Sequence, residues 1–481
     1  MIPQSLRTPG NYFDISAAPT PFNSKNKQLL FGNMIEAGGT MGTATIDTPV
    51  LCTKSTIDLL FGAKSMLAAM YRKASTIKPF QEIWAVPLLA VGVAMSGSIT
   101  VADASTNLGQ SIFYIAGERI SVEIQSGETN DDVAANIANI INASSVCVDA
   151  TVALSVVTLT CVHKGGLSVS LALDVVGDEG SVGKNTLTFS GPALAGGNGA
   201  PDESTALLNL GEEEYDFLTT PFNDTSNLDR MRDFLDARWG YDSQLYGQCV
   251  TATSGTVGEL SAIGLARNDK YITNLGTSDS VSPVWEWAAA YGVILASHLG
   301  DAPELSRPLQ GLVLEGLRLP KTIFDQSERN VLLYDGIATF KKNPGGQVLI
   351  DRAITMYRLT DEGNADASWL DTNTLAQVMY FVRYQHSRLS GTFNRMALAD
   401  SNPNNLKTVV TVEDIRQNLI QGYMRLMKLA VCENIDKYEE LLTVARSGND
   451  SNRVDIGIDA DWVNQLMVMA ISVKSHLQIE G

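Results

Sequence analysis

The sequence has little of what most enzymes and metalloproteins need. Its 481 residues include only four histidines and five cysteines. No CxxC or HxxxH pair occurs, so neither a zinc site nor a redox dithiol is indicated. Phosphate-binding and nucleophile motifs of the types GxGxxG, GxxxxGK[ST] and GxSxG are missing from the strand-to-helix junctions. We therefore expect no catalytic residues, no metal and no cofactor.

Positive charge is scarce as well. Asp and Glu outnumber Lys and Arg by 53 to 35, which gives a formal net charge of -18. Nucleic-acid binding draws most of its affinity from Lys and Arg at phosphates, so direct DNA or RNA binding is not expected. No run of about 18 apolar residues indicates a transmembrane helix. The scattered cysteines and the absence of a secretion signal favour a chain that folds in a reducing cytoplasm.

What the sequence does contain is the composition of a folded chain, with 44% hydrophobic and 18% charged residues. At roughly 150 residues per domain, this length suggests about three domains. The prolines of residues 1–27 disfavour helix. We interpret this stretch as an extended N-terminal arm that could span on the order of 80 Å. A frayed terminus is the simpler alternative.

Hydrophobic patterning divides the rest of the chain. Residues 28–91 alternate short apolar strands with helical periodicity, which predicts the first part of an α/β core. Residues 92–202 are rich in Gly, Ser, Thr and Val and show strand-type alternation around one helix at Val133–Ile141. This pattern predicts an inserted, β-rich outer domain. The α/β pattern resumes over 203–462, so we expect a multi-domain α/β protein with a mixed-sheet core.

Individual elements of the second core part are also predicted from periodicity. Strands are predicted at Tyr215–Thr219, Gly311–Leu314, Ile337–Phe340 and Val348–Ile350. Helices are predicted at Leu228–Trp239, Pro283–Gly300, Leu375–Leu389 and Glu413–Ala445.

The last segment, residues 463–481, has the clearest period of two. Its apolar face consists of Met467, Met469, Ile471, Val473, Leu477 and Ile479. The pattern predicts a long C-terminal strand with one apolar face. An ordinary last strand of the core sheet is one interpretation, and pattern alone favours it. A strand donated to the sheet edge of another copy is the alternative.

Three polar groups could carry chemistry, but each has a simpler structural interpretation. The aspartates between residues 224 and 236 fit a solvated helix start better than a metal site. The acidic residues between 361 and 371 lack EF-hand spacing. His386 lies close to Arg383 and Arg388, which favours a surface charge cluster over a catalytic base.

Several stretches of the chain resemble the tail sheath proteins of Mu-type contractile-tailed bacteriophages. They are Thr8–Asp14, Leu60–Leu67, Glu82–Leu88, Ser282–Ala290, Arg307–Leu309, Glu328–Leu333, Ala367–Asp371, Val431–Asn434 and Trp462–Leu466. No single stretch is diagnostic, but their order and spread over most of the chain make the resemblance specific. Asn11 departs from the family's usual valine, and Asn394–Ala399 replaces an expected Arg-His-Lys-Leu-Ala stretch.

The resemblance implies a core near an inner tube, an insertion that projects outward, and termini that extend to neighbouring subunits. It implies a structural subunit that polymerises around the tail tube and contracts to drive the tube through the host envelope. Its expected partners are other copies, the tube protein, and the baseplate and tail terminator proteins, with no small-molecule substrate. Expected locations are the virion tail and, during assembly, the host cytoplasm. The sheath of a phage-tail-like particle such as a bacteriocin and, less favoured, an acidic α/β enzyme are the alternatives.

Two sets of residues are expected to act in such an assembly. The strand-adding set consists of Tyr12, Phe13, Ile15, Met467, Met469, Ile471, Val473 and Leu477. Arginines on charged helices are expected to exchange contacts during contraction, against the acidic excess of the chain. This set consists of Arg352, Arg358, Arg383 and Arg388.

Overall fold

The computed structural model describes two compact units of this chain. It describes residues 26–36, 41–104, 109–172, 187–320 and 322–475. The larger unit contains residues 26–379, 426–433 and 460–475, and the smaller unit contains Tyr380–Arg425 and Asn434–Asp459. The predicted strand-adding residues Tyr12, Phe13, Ile15 and Leu477 lie outside the described residues.

The chain before the insertion supplies the first part of the core. Its elements are β1 (Gln28–Asn33), β2 (Val50–Leu51), α1 (Ile57–Phe61), α2 (Met66–Ile77) and β3 (Ile83–Leu88). Strand β1 is buried at every position and pairs in parallel with β3 along its whole length. Pro87 is tolerated inside β3 because β2 pairs only with Trp84 and Ala85, so no bond to β2 requires the missing N–H.

The segment after β3 is antiparallel and β-rich, as its composition predicts. Its elements are β4 (Ala94–Val101), β5 (Gly109–Ile115), β6 (Glu118–Ile124), α3 (Asn130–Ala143), β7 (Val148–Ala153), β8 (Val156–Lys164), β9 (Leu171–Ala172) and β10 (Leu187–Phe189). The strand orders are β10-β4-β8-β7 and β6-β5-β9. Helix α3 begins at a capping box of Thr129 and Asp132 and buries Val133, Ile137 and Ile141, which confirms the predicted apolar stripe.

The insertion leaves and rejoins the core at one point. The Val93 N–H donates to the Asn198 carbonyl at 3.1 Å, and the Asn198 N–H donates back at 3.3 Å. Gly92 lies beside this pair at φ +94°, where an added Cβ would sit 1.9 Å from the Asn198 carbonyl oxygen. Only glycine fits this position, because it tolerates both the positive φ and the close backbone approach.

The chain after the insertion completes the core sheet. Its elements are α4 (Ser204–Asn209), β11 (Phe217–Thr219), α5 (Thr225–Arg238), β12 (Gln248–Ser254), α6 (Val257–Leu265), β13 (Ile272–Thr277) and α7 (Val284–His298). The sheet order is β13-β12-β11-β1-β3-β2, parallel except at the β2 edge. Strands from both sides of the insertion are therefore neighbours, which confirms the predicted mixed-sheet core.

Helix α7 packs directly against this sheet and is buried on nearly all sides. Trp287 and Tyr291 have no exposed surface. A Cβ on Gly292 would lie 2.4 Å from the Thr219 hydroxyl oxygen, so the helix approaches β11 closely only because this position lacks a side chain. A helix that is apolar all round belongs in a protein core.

The larger unit continues with a short 3-10 helix and a hairpin beside α8. The elements are the 3-10 helix Glu304–Ser306, α8 (Gln326–Tyr334), β14 (Thr339–Lys342) and β15 (Val348–Arg352). The predicted strand Gly311–Leu314 is only partly formed: one bridge joins Val313 to Leu349, and backbone hydrogen bonds to Val348 and Ile350 flank it. Gly311 and Gly316 both have positive φ, so the chain turns on either side of the bridge.

The last part of the chain alternates short strands and helices. Its elements are α9 (Thr372–Phe393), β16 (Ala397–Leu398), β17 (Val409–Val410), α10 (Val412–Lys428), β18 (Cys432–Glu433), α11 (Ile435–Leu441), β19 (Thr443–Arg446), β20 (Val454–Gly457) and β21 (Asp461–Trp462). The predicted single helix Glu413–Ala445 is wrong. Ala430 adopts φ +54°, a left-handed conformation that ends α10, and the chain forms β18 before α11 begins.

The smaller unit has its own aromatic core. Tyr423 stacks on Tyr438 with ring centroids 3.8 Å apart, and Phe381 meets Tyr423 edge to face at 6.2 Å. Tyr423 comes from α10 and Tyr438 from α11, so this stack holds together the two helices that replace the predicted long one.

Candidate functional site

The acidic residues considered for metal binding have structural partners instead. Among the residues that the structure describes, no three His, Cys, Asp or Glu side chains are placed to hold a metal. Asp224 caps α5 by accepting the Asn227 N–H at 3.1 Å. Asp229 pairs with Arg232 at 3.0 Å and with Arg267 at 3.1 Å. These carboxylates fix the position of α5.

The length and hydropathy of the described helices decide whether any of them could cross a bilayer. None of those within the described ranges is both long and apolar enough to cross a membrane.

The C-terminal segment leaves the larger unit at a defined anchor. Strand β21 pairs with β18, and the Val463 N–H donates to the Val431 carbonyl at 3.3 Å. The buried Gln377 donates from Nε2 to the Val463 carbonyl at 2.9 Å and to the Ser306 hydroxyl at 2.8 Å. One buried amide therefore ties the start of the segment to α9 and to the preceding 3-10 helix.

Beyond this anchor the segment is exposed. Residues 463–475 form no strand. The exposed fraction of the side chain is 72% at Met469, 79% at Ile471 and 84% at Val473. The interpretation as the last strand of the chain's own core sheet is therefore wrong, because no described strand of that sheet pairs with these residues. Strand formation with another copy stays a prediction.

A groove lies beside the half-buried Met467 at the start of this segment. Its charged wall comes from α8 and the β14–β15 hairpin, where Asp351 accepts from Arg329 at 3.0 Å and from Lys341 at 3.2 Å. Arg352 lines the same groove. The side chain at position 467 therefore adjoins a network of charges that are already paired.

Two of the four predicted exchange arginines do not lie on helices. Arg352 ends β15, where it pairs with Asp371 at 3.1 Å. Arg358 lies in a loop and donates to the carbonyls of Leu265 and Arg267, both at 3.2 Å. Their placement on charged helices was therefore wrong, and both already have partners within the chain.

The other two arginines lie on α9, within the smaller unit. Arg388 donates to the Asn418 carbonyl at 3.2 Å, and its guanidinium sits 5.9 Å from the centroid of the Tyr384 ring. Arg383 also has a partner within the chain. A role in contraction stays a prediction for all four arginines.

The β19–β20 hairpin was missed by the sequence-based assignment. Within the described residues each of its strands pairs only with the other, which leaves outer edges open. Arg446 supports the hairpin by donating to the Asp400 carboxylate at 2.7 Å and to the Leu398 carbonyl at 3.0 Å. The Ser-Gly-Asn-Asp run at 447–450 is the turn signal that could have revealed it.

A histidine closes one junction between the insertion and the core. His163 on β8 is buried, and its Nε2 accepts the Met66 N–H at the start of α2, at 2.8 Å. Burial lowers the pKa of His163 to about 4, so the ring is neutral at pH 7 and can accept this bond. Lys64 reinforces the junction through the Val148 carbonyl at 2.8 Å and the Asp149 carboxylate at 2.9 Å.

A buried carboxyl group marks the second junction, where the chain returns to the core. Glu203 is fully buried and hydrogen-bonds the Thr220 hydroxyl. Burial raises the pKa of Glu203 to about 8, although the Thr220 hydroxyl opposes this shift, so the group is mostly protonated at neutral pH. Nearby, the Asn227 side-chain amide donates to the Pro201 carbonyl at 2.9 Å.

These features describe an assembly protein. The chain folds around a buried mixed sheet, and it leaves an anchored apolar segment and a hairpin edge uncovered. Such surfaces are characteristic of chains that are completed by other chains.

Comparison with known proteins identifies the family. The model of the phage tail sheath protein central domain matches residues 196–356. The chain is 30% identical over 486 residues to the Mu-like prophage FluMu tail sheath protein of Haemophilus influenzae, covering 98% of each protein. The chain therefore belongs to the phage tail sheath protein family, whose members are structural components of the virion tail. This confirms the resemblance found in the sequence.

The fold is shared with a solved sheath protein. The crystal structure of the sheath tail protein from Desulfitobacterium hafniense superposes with a TM-score of 0.52 at 11% sequence identity. The match covers 95% of this chain and 97% of that one. At this identity the similarity is one of fold.

Proposed function

We propose that this chain is the repeating subunit of a contractile sheath, which polymerises around the tail tube and shortens to drive the tube through the host envelope. The exposed apolar segment 463–475 carries the proposal. Burying a side chain such as Met469, Ile471 or Val473 contributes about 1.5–3 kcal/mol each. In a single folded chain these side chains stay exposed to water, and a neighbouring copy can bury them.

Strand addition is the proposed way in which a neighbouring copy buries the segment. An extended segment that adds to an open sheet edge gains backbone hydrogen bonds and buries alternate side chains. The outer edges of the β19–β20 hairpin on a neighbouring copy are suitable acceptors. The proposed donors are the arms 1–27 and 463–481. Their contact residues are Tyr12, Phe13, Ile15, Met467, Met469, Ile471, Val473 and Leu477.

Contraction then follows from two alternative packings of the same linked subunits. Strand links persist while weaker contacts between subunit bodies are exchanged, so the packing is the bistable element. Any exchange at Arg352 must first release Asp371, to which it is paired within the chain. The energy is stored at assembly in the host cytoplasm, and no nucleotide is consumed. The further proposed partners are the tube, baseplate and tail terminator proteins.

Removal of residues 463–481 tests the strand link. We expect the shortened chain to fold with a slightly lowered melting temperature, because it loses the Val463 carbonyl that accepts from Gln377 while most of the described segment is exposed. We also expect it to form no cylinders or rings in negative-stain electron microscopy. Polymerisation of the shortened chain at the wild-type concentration would show that the arm model is wrong.

A pair of matched variants separates the two faces of the segment. Met469→Asn with Ile471→Asn changes the apolar face, whereas Leu466→Asn with Val468→Asn changes the opposite face. All four side chains are exposed in the single chain. We expect the first pair to abolish polymerisation and the second to reduce it much less. Equal effects of the two pairs would argue against a strand that is buried on one face.

A further inference from the structure

The amino-terminal edge of the core sheet carries a band of aromatic side chains. Strands β3, β1, β11, β12 and β13 run in parallel, so the residues that precede or begin them lie along one edge. We call this band the aromatic edge, and it consists of Phe80, Trp84, Trp239, Tyr241, Tyr246 and Tyr271. These residues are dispersed in the sequence, and the strand order brings them together.

One half of the aromatic edge is organised around β1 and β3. Trp84 meets Tyr215 edge to face, with ring centroids 6.0 Å apart. The Lys27 ammonium lies over both rings, 6.0 Å from the Trp84 centroid and 5.8 Å from that of Tyr215. This cation therefore joins two aromatic rings where the chain enters the sheet.

The other half is organised around Trp239, and it adjoins the first. Trp239 stacks on Tyr271 at 4.7 Å and meets Tyr246 edge to face at 5.0 Å. Its Nε1 donates to the Gly247 carbonyl at 2.9 Å. An added Cβ on Gly247 would lie 2.7 Å from the Tyr215 carbonyl oxygen, so this glycine lets the two halves meet.

Two side chains project from this packed layer. Phe80, in the turn before β3, is 101% exposed, and Tyr241, in the turn before β12, is 93% exposed. A single exposed aromatic residue is ordinary. Two of them beside a packed layer of Trp and Tyr have the composition of an interface core, where such residues dominate the binding energy.

Two acidic residues without ion pairs lie near the aromatic edge. The buried Arg238 donates to the carbonyls of Gly211, at 2.8 Å, and Glu213, and so holds the loop before β11 in place. Glu212 on this loop and Asp242 beside Tyr241 are exposed and form no ion pair within the described chain. The rim therefore has unpaired negative charge, which disfavours a nucleic acid as its partner.

Complementary charge is present on the smaller unit of the same protein. The exposed Arg395 and Lys407 lie side by side there, because each stands two residues before the paired Ala397 and Val409 of β16 and β17, and neither side chain forms an ion pair or a hydrogen bond with the residues described. Copies of a chain with net charge -18 repel one another unless opposite charges meet at their contacts. A second copy therefore offers positive charge to the unpaired carboxylates of Glu212 and Asp242.

We propose that the aromatic edge of one copy binds the cationic surface formed by Arg395 and Lys407 of the smaller unit on a second copy, with Glu212 and Asp242 facing these two residues. The inference rests on the proposed self-assembly and names a contact apart from the strand links. Aromatic side chains supply most of the affinity, and the charged rim sets orientation and association rate.

Reciprocal charge reversal tests this contact. We expect Glu212→Lys with Asp242→Lys to raise the concentration needed for polymerisation about 10-fold at low salt. Arg395→Glu with Lys407→Glu is expected to do the same. The chain that carries all four changes should return to within about 3-fold of wild type, because opposite charges again meet. Failure of the four changes to restore polymerisation would overturn the assignment of the second copy's smaller unit.

The aromatic contribution is tested separately. Phe80→Ser with Tyr241→Ser should raise the required concentration by about 10- to 100-fold without lowering the melting temperature of the unassembled chain. Leu154→Ser is the matched control, because Leu154 is 77% exposed in the turn between β7 and β8. If wild type polymerises and the edge variant does so equally well, this inference alone is wrong. If wild type does not polymerise, the proposed function fails, and this inference fails with it.

Discussion

The core strand β1 and the C-terminal segment 463–475 have similar residues and opposite surroundings. Both contain short runs of apolar strand-forming residues. Phe31 in β1 has no exposed surface, whereas Ile471 is 79% exposed. The difference lies in the available partners, because β1 has β11 on one side and β3 on the other, while the segment has no described strand beside it.

This comparison separates folding from assembly. The hydrophobic effect favours burial of apolar surface but does not specify which chain provides the cover. Substitutions in β1 should act on the stability of the single chain, and substitutions in the segment should act only on the polymer. The free energy of unfolding of the unassembled chain distinguishes the two.

The largest expected effect comes from truncating the core strand. Phe31→Ala should lower the free energy of unfolding of the unassembled chain by about 3–5 kcal/mol, because it opens a cavity in a packed interior. Ile471→Ala should change it by less than about 0.5 kcal/mol, because the side chain is exposed. Urea denaturation followed by circular dichroism measures both. A large loss with Ile471→Ala would mean that the segment is buried within its own chain.

A smaller effect is expected from acidification at the His163 junction. The unfolded chain takes up a proton near the ordinary histidine pKa of 6.5, whereas the folded chain resists protonation until about pH 4. The contribution of this site to the free energy of unfolding is therefore fully present above pH 6.5. It decreases by about 3 kcal/mol as the pH falls from 6.5 to about 4.

Comparison with His163→Gln isolates this site, because glutamine can accept the Met66 N–H without titrating. We expect its free energy of unfolding to fall less steeply than that of wild type between pH 6.5 and 4. The exposed His386→Gln is the control and should follow wild type. Parallel curves for His163→Gln and wild type would mean that the junction is hydrated in the single chain.

An effect with the opposite dependence on pH is expected at Glu203. The folded chain holds the Glu203 proton until about pH 8, while the unfolded chain releases it near 4.5. Stability from this site is therefore present below 4.5 and is lost as the pH rises towards 8. Glu203→Gln should stabilise the chain by about 4 kcal/mol at pH 8 and have little effect at pH 4.5.

Thermal unfolding at the two pH values measures this difference. Glu123→Gln, at an exposed position of β6, is the control and should behave as wild type at both. If Glu203→Gln gave no gain at pH 8, the carboxyl group would have to be solvated in the folded chain.

Sequence reasoning located the elements whose signals are local. The core strands β3 and β11 and the helix α7 follow from apolar runs and helical periodicity. It failed at Ala430, where the chain adopts a left-handed conformation that α-helix-forming residues on either side do not reveal. The Gly311–Leu314 strand was overestimated because strand length depends on the partner strand, which here contacts it only through Val348, Leu349 and Ile350.

The assembly surfaces were harder to predict, because their signals are not local. The period-two pattern of residues 463–481 identified the segment, but an apolar face looks the same in an intramolecular and an intermolecular strand. The aromatic edge was not predicted, because only the strand order brings Trp84 and Trp239 to the same edge of the sheet. Arg352 and Arg358 were assigned to helices because charge content alone does not distinguish a helix from a strand end or a loop.

The paired ends of the insertion bear on how this chain can evolve. Because Val93 and Asn198 touch, the whole β-rich region can be exchanged or removed by rejoining neighbouring residues, without moving a core strand. Related chains can therefore vary in this region while they keep the same core sheet. Any replacement must offer an acceptor to the Met66 N–H in place of His163 and new partners for the Lys64 ammonium.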